Sequence, residues 1–120
     1  MHRISLFGVA TAALALAAPA TAQDNAEAER SFSRAARSFT ACLASAASAS
    51  NGTDARPDAF RVEFARACAM QEVAFRESGV RLRMSRGVSE QQATSETDAD
   101  VINGRRNFLA DRSRRYARAD

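Results

Sequence analysis

Two side chains on which most enzymes and metal proteins rely are nearly missing from this chain. Lysine is absent, so all seventeen basic residues are arginines, and His2 is the only histidine. The chain therefore has no Schiff-base amine, no P-loop lysine and no Ser-His arrangement to activate a hydroxyl. It also lacks the commonest metal ligand. We expect a protein that is not an enzyme and that binds no cofactor and no metal.

Long apolar runs are scarce as well, and the longest lies at the start of the chain. Arg3 precedes an apolar stretch from about Leu6 to Ala18, and the small residues Ala20-Thr21-Ala22 follow. This order is typical of a cleaved secretory signal peptide. The stretch is about 13 residues long, short of the roughly 20 that span a bilayer. An uncleaved, membrane-tethered N-terminus is the alternative.

The predicted cleavage after Ala22 divides the chain into a signal peptide, residues 1–22, and a single small helical domain, residues 23–120. His2 leaves with the signal, and no transmembrane segment remains. The remaining chain contains sixteen arginines and fourteen acidic side chains. The abundance of alanine and arginine, whose codons are GC-rich, indicates a bacterial genome, and the expected location is the periplasm or the exterior.

Apolar residues in the exported part recur at helical spacing. The pattern predicts an all-α fold with helices at roughly 25–50, 58–86 and 89–118, separated first by a turn-rich loop at 51–57. The first two form an antiparallel hairpin, and the third completes a three-helix layer or small bundle. A strand at 80–84 is the competing interpretation. The residues expected to face the core are Phe32, Ala35, Ala36, Phe39, Cys42, Leu43, Ala46 and Ala47 in the first helix and Phe60, Phe64, Cys68, Gln71, Phe75 and Leu82 in the second.

The second helix carries another apolar stripe, on the side opposite Phe64. We expect this stripe to be buried too, against either the C-terminal segment or a second subunit. The start of the third helix is open between Ser89 and Thr97, each of which begins a capping pattern. Gly104 is a weak point within it. The residues of the second stripe are Val62, Ala69, Val73, Val80 and Met84, and those expected to line the third helix are Val101, Ile102, Phe108, Leu109 and Tyr116.

Cys42 and Cys68 are the only cysteines. Each falls on the apolar side of its own helix, and their midpoint lies inside the loop, so an antiparallel hairpin brings them to the same height. An oxidising compartment preserves such a bond. We predict a structural disulfide that stabilises the fold by roughly 3 kcal/mol. A redox-active pair is the alternative, although the two cysteines lack the C-x-x-C spacing.

Carboxylates offer the remaining routes to chemistry. Glu96, Asp98 and Asp100 alternate as at the start of a calcium loop, but Val101 and Asn107 stand where that loop needs glycine and glutamate. We interpret these acids as complementing the dipole at the start of the third helix. Catalysis by two carboxylates is formally open, yet the acids of the second helix mostly have an arginine four residues on, as in Glu72 with Arg76 and Glu77 with Arg81.

The C-terminal segment is rich in arginine, and export argues against nucleic acid as its ligand. It favours an anionic envelope component or an acidic partner protein. We expect a non-enzymatic binding or structural protein of the bacterial cell envelope. The alternatives are a periplasmic chaperone or stress protein and a helical homodimer or larger homo-oligomer. The residues predicted to bind anions are Arg105, Arg106, Arg112, Arg114, Arg115 and Arg118.

Overall fold

A computed structural model describes residues 20–49 and 57–118, and every regular element within these ranges is an α-helix. The helices are α1 (Ala20–Ala49), α2 (Pro57–Arg66), α3 (Ala69–Ser85) and α4 (Glu90–Ala117). The all-α prediction is confirmed for this part of the chain, and residues 80–84 are helical. The predicted signal peptide, apart from residues 20–22, and most of the predicted loop at 51–57 lie outside the described residues.

Four helices replace the three predicted because the second one is interrupted. Ala67 and Cys68 separate α2 from α3, and Cys68 has a positive φ of 66°. A residue other than glycine adopts this left-handed conformation at a cost, and the apolar periodicity does not reveal it. The pattern runs on from Phe64 through Phe75, so the prediction of one continuous helix over 58–86 is wrong.

The core lies where α1 meets α2 and α3. Phe39, Leu43 and Ala47 of α1 are buried against Phe60 and Phe64 of α2, as the spacing predicts. The ring of Phe75 in α3 lies 5.2 Å from that of Phe32 and 5.4 Å from that of Phe39. The predicted Cys42–Cys68 disulfide is present, with 5.9 Å between the Cα atoms, and it closes the antiparallel hairpin.

Helix α4 packs beside α3 and runs antiparallel to it. Ala93, Thr97 and Val101 are its most buried small and apolar residues. The approach is close because Gly79 of α3 has no side chain: a Cβ atom there would lie 3.0 Å from Cγ2 of Thr97. α4 is unbroken at Gly104. The structure therefore contains a small bundle in which α1, α3 and α4 contact one another, with α2 joined to the start of α3.

Helix α4 starts at the earlier of its two predicted positions. The hydroxyl of Ser89 accepts a hydrogen bond from the amide of Gln92 at 3.3 Å, as an N-cap residue does. Thr97 lies within the helix, where its hydroxyl donates to the carbonyl of Ala93 at 2.7 Å. Phe108 and Leu109 are half-buried against the core, whereas Ile102 is 55% exposed. The side chain of Tyr116 lies outside the described part.

The second apolar stripe is not covered by the C-terminal segment, contrary to one of the two expectations for it. Val62 and Val73 are each 54% exposed and Met84 is 44% exposed. α4 packs instead on the side of α3 that carries Gly79 and Arg83, where glycine and a polar ion-pair network allow close contact. The other expectation, that a second subunit covers this stripe, is not tested by the structure of a single chain.

Candidate functional site

The six arginines predicted to bind anions lie on α4 or directly after it, but they divide into two groups. Arg105 and Arg112 point into the protein, and the other four are exposed. Sequence spacing did not separate the two groups, because arginines follow one another so closely along this segment that they occur on every side of the helix. Their surroundings indicate two different tasks.

Arg105 binds the break between α2 and α3. Its Nη1 and Nη2 atoms donate to the carbonyl oxygens of Phe64 at 2.7 Å and Ala67 at 2.8 Å. Its Nε donates to the carboxylate of Glu72 at 2.9 Å, and its guanidinium lies 5.6 Å from the ring centroid of Phe39. The last carbonyls of a helix have no partner within it, so Arg105 satisfies two groups that the end of α2 would otherwise leave unpaired.

The carboxyl of Glu72 is tuned by the same contacts. Burial alone would raise its pKa, but hydrogen bonds from Arg105 and Arg76, together with their charges, hold the pKa below its ordinary value. Only 15% of the Arg105 side chain and 20% of the Glu72 side chain are exposed. This pair is therefore a structural ion pair, shielded from solvent by the helices that it joins.

Arg112 makes equivalent contacts further along α4. Its Nη1 donates to the carbonyl of Ala47 near the end of α1 at 3.1 Å, and its guanidinium lies over the ring of Phe60 at 3.6 Å. Arg112 is only 7% exposed. The structure thus gives Arg105 and Arg112 positioning roles inside the fold, and the anion-binding prediction rests on the remaining four arginines.

Those four, Arg106, Arg114, Arg115 and Arg118, are exposed to solvent. Arg114 pairs with Asp111 at 2.6 Å, and its hydrogen bond and charge lower the pKa of that carboxyl. Within the described part of the chain, the other three make no ion pair. Positive charge along the C-terminal half of α4 is therefore available to a ligand.

A second basic surface was missed by the sequence analysis. Arg30, Arg34 and Arg37 are exposed on α1, and none of them forms an ion pair within residues 20–49 and 57–118. Their spacing of four and three residues places them on one face of the helix, opposite the apolar stripe. The same periodicity analysis applied to charges would have found this row.

The acidic residues Glu96, Asp98 and Asp100 of α4 form ion pairs with arginines of α3. Arg83 donates to Glu96 at 3.0 Å and to Asp100 at 2.5 Å, and Arg76 pairs with Asp98. These acids lie beyond the first turn, because α4 begins at Glu90, so the interpretation as dipole partners is wrong: that interaction fades within a turn. Among the described residues no group of acids or cysteines is arranged to hold a metal.

Two further predictions have structural outcomes. Glu72 and Arg76 form the expected helix-surface pair at 2.9 Å, whereas Glu77 and Arg81 form no ion pair in the described part. The disulfide leaves no free cysteine there. None of the described helices is long and apolar enough to cross a bilayer.

Comparison with known proteins adds no identity: no family model matches the chain, and neither a curated protein nor a solved structure matches it.

Proposed function

We propose that this chain is a non-enzymatic, exported helical protein of the bacterial cell envelope that binds an anionic envelope component or an acidic partner. The observation that supports the proposal best is the exposed positive charge on the C-terminal half of α4 and directly after it, carried by Arg106, Arg115 and Arg118, which form no ion pair within the described residues. We refer to these three residues together as the terminal basic surface, although Arg106 lies on the side of the helix opposite Arg115, because nine residues correspond to about 180° of rotation. Residues 1–22 are proposed as the signal peptide that delivers the protein to the periplasm or the exterior.

The electrostatics of α4 support this assignment. A guanidinium that is already bonded to a carboxylate has little attraction left for a second anion, and this applies to Arg105 and Arg114. Within the described residues, the three arginines of the terminal basic surface form no ion pair, although the charge of Arg115 contributes to lowering the pKa of the Asp111 carboxyl. Phosphate-bearing lipids and lipopolysaccharide are the anions that an exported bacterial protein meets in quantity, and guanidinium groups bind phosphate in two-pronged geometry.

The test is a binding measurement with a charge-matched control. Wild type should co-sediment with vesicles of phosphatidylglycerol and phosphatidylcholine at low salt, less at high salt, and not with phosphatidylcholine alone. Changing Arg106, Arg115 and Arg118 together to Gln should abolish binding. Changing Arg30, Arg34 and Arg37 to Gln removes the same charge from α1.

The two triple variants separate a local site from overall charge. Loss of binding only in the α4 variant supports the terminal basic surface. Equal loss in both variants assigns binding to net charge, and unchanged binding in the α4 variant contradicts the proposal. A parallel series with purified lipopolysaccharide distinguishes a lipid headgroup from this second polyanion.

The proposed export has its own measurement. Mass spectrometry of the protein recovered from a bacterial envelope should give an N-terminus at or near Gln23 and a mass that lacks two thiol protons. A chain that retains Met1, or that reacts fully with a thiol reagent, contradicts the proposed signal peptide and oxidising location.

A second candidate, a periplasmic chaperone or stress protein, is favoured by one observation. Met70 on α3 is 84% exposed and Val73 is 54% exposed, which is the kind of apolar surface that an unfolded client requires. Suppression of client aggregation by wild type, lost when Val73 is changed to Asp, supports this function. No suppression by wild type contradicts it.

A further inference from the structure

The outward face of α3 carries a regular apolar pattern that nothing in residues 20–49 and 57–118 covers. We define the outer stripe as Met70, Val73, Glu77, Val80 and Met84. Met70, Val73 and Met84 are among the most exposed large apolar residues of the described part, and Val80 is half-buried. α1 and α4 pack on the other sides of this helix, through Phe75 and Gly79.

The spacing of the outer stripe is three, four, three and four residues. These are the a and d positions of two successive heptads and the first a position of a third, and they extend over nearly all of α3, Ala69–Ser85. Single exposed apolar residues are common on protein surfaces and need no explanation. An exposed row at heptad spacing is different, because it matches the seam through which one helix packs along another of similar length.

The charges on this face indicate which helix fits. Glu77 occupies the central a position, Arg81 lies beside the seam, and both are exposed without an ion pair in the described part. Two parallel copies of α3 would place Glu77 against Glu77, with repulsion at the centre. Two antiparallel copies offset by about three residues place Val73 against Met84 of the partner subunit and Glu77 beside Arg81 of the partner subunit.

Antiparallel packing of identical helices obeys a two-fold axis, so each contact occurs twice. Both carboxylates and both guanidiniums are then used, Val73 and Met84 of each copy lie against those of the other, and Val80 lies across from the aliphatic part of Glu77 of the partner subunit. A groove of about 630 Å³, lined by Val80 and Met84 of α3 and by Thr94 and Asp98 of α4, runs along the same face. It provides room for the side chains of a second helix.

We infer that the outer stripe is a homodimer interface, in which α3 packs antiparallel on α3 of a second copy with two reciprocal Glu77–Arg81 ion pairs. The assignment does not depend on the anion-binding function, because the terminal basic surface belongs to other residues. The interface would cover Val73, Val80 and Met84, three residues of the second apolar stripe that the described part of the chain leaves exposed or half-buried. A small core supplemented by subunit contact is also a common solution for domains of this size.

The first test is the mass of the oxidised protein in solution, measured by light scattering and sedimentation equilibrium over a range of concentrations. Wild type should reach twice the mass of one chain. Val80→Asp should give the mass of one chain, and Val62→Asp, which makes the same change on α2, should remain dimeric. Circular dichroism reports whether each variant stays helical, which we expect because both sites contact solvent.

Charge reversal tests the orientation. Glu77→Arg and Arg81→Glu should each weaken the dimer at least tenfold, since each places like charges across the interface. The double variant E77R/R81E should restore wild-type affinity. A wild-type chain that stays monomeric at all concentrations, a dimer that Val80→Asp leaves intact, or a double variant without recovery each overturns the inference. Monomeric wild type that binds unfolded client through Val73 assigns the face to the chaperone candidate instead.

Discussion

The two short breaks on either side of α3 are both tight, yet they are held by opposite means. The break between α3 and α4 uses local signals. Gly87 has a φ of 90°, and the amides of Gly87 and Val88 donate to the carbonyls of Met84 and Arg83, the hydrogen-bond pattern that commonly ends a helix at glycine. Ser89 then caps α4.

The break between α2 and α3 has no such signal. Cys68 takes the left-handed conformation that Gly87 takes at the other break, although it carries a Cβ atom. Its geometry is imposed by distant groups: the disulfide to Cys42, and Arg105 bonded to the carbonyls of Phe64 and Ala67. Neighbouring residues therefore determine the break between α3 and α4, whereas contacts from α1 and α4 hold the break between α2 and α3.

The largest predicted effect comes from removing the arginine at the α2–α3 break. Arg105→Gln should lower the free energy of unfolding by about 3 to 4 kcal/mol, because it leaves the carbonyls of Phe64 and Ala67 without their donor and removes one of the two arginines that pair with Glu72 in a mostly buried site. Arg106→Gln, at the next and exposed position, should cost less than about 0.5 kcal/mol. Urea unfolding followed by circular dichroism measures both. Equal losses would contradict the separation of the two arginine groups.

Loss of the disulfide should cost nearly as much. We expect Cys42→Ser with Cys68→Ser to lower the free energy of unfolding by about 3 kcal/mol, since 26 positions separate the two cysteines and the unfolded chain regains that freedom. Thermal and urea unfolding of the double variant against oxidised wild type give the value. No change in stability would assign the joint to Arg105 alone.

A substitution to glycine sharpens the same comparison. If Cys68 keeps its positive φ without the crosslink, Cys42→Ser with Cys68→Gly should be about 1 kcal/mol more stable than the double serine variant, because glycine adopts this conformation freely. If the break straightens into a helix, glycine should instead be the less stable residue. Comparing the two unfolding curves decides which group imposes the geometry.

Acid should weaken the α2–α3 break by a smaller amount than loss of Arg105. The pKa of Glu72 in the folded protein lies below its ordinary value of 4.5. The ion pairs of this carboxylate therefore stabilise the fold fully at pH values above 4.5. This stability is lost as the pH falls through the folded pKa. Between neutral pH and about pH 3, the free energy of unfolding should fall less steeply in Glu72→Gln than in wild type. Identical slopes would exclude a contribution from this carboxyl.

The smallest effects belong to the break that local residues determine. Gly87→Ala should cost about 1 kcal/mol because a Cβ atom disfavours its φ of 90°, although nothing lies within 4 Å of the added atom. Ser89→Ala should cost about 0.5 kcal/mol, the lower end for an N-cap, because its hydrogen bond to Gln92 is 3.3 Å long. Thermal unfolding measures both, and a loss as large as that of Arg105→Gln would overturn the comparison.

Much of the fold follows from side-chain periodicity. The burial of Phe39, Leu43 and Phe64 and the meeting of Cys42 with Cys68 are consequences of apolar spacing in two helices joined by a short connection. The candidate site followed less well. Spacing located the arginine-rich segment, but it did not distinguish Arg105 from Arg106, because inward and outward direction depends on which residues of other helices lie opposite.

By itself, the sequence determined the helical class, the disulfide pair and the end of α3 shortly before Gly87, and it narrowed the start of α4 to Ser89 or Thr97. These features depend on residues within one or two turns of each other, or on a pattern that repeats along a helix. The tertiary structure alone decided the break at Cys68 and the inward direction of Arg105 and Arg112. In each case the deciding partners, such as Phe64, lie far away in the chain, and only packing brings them into contact.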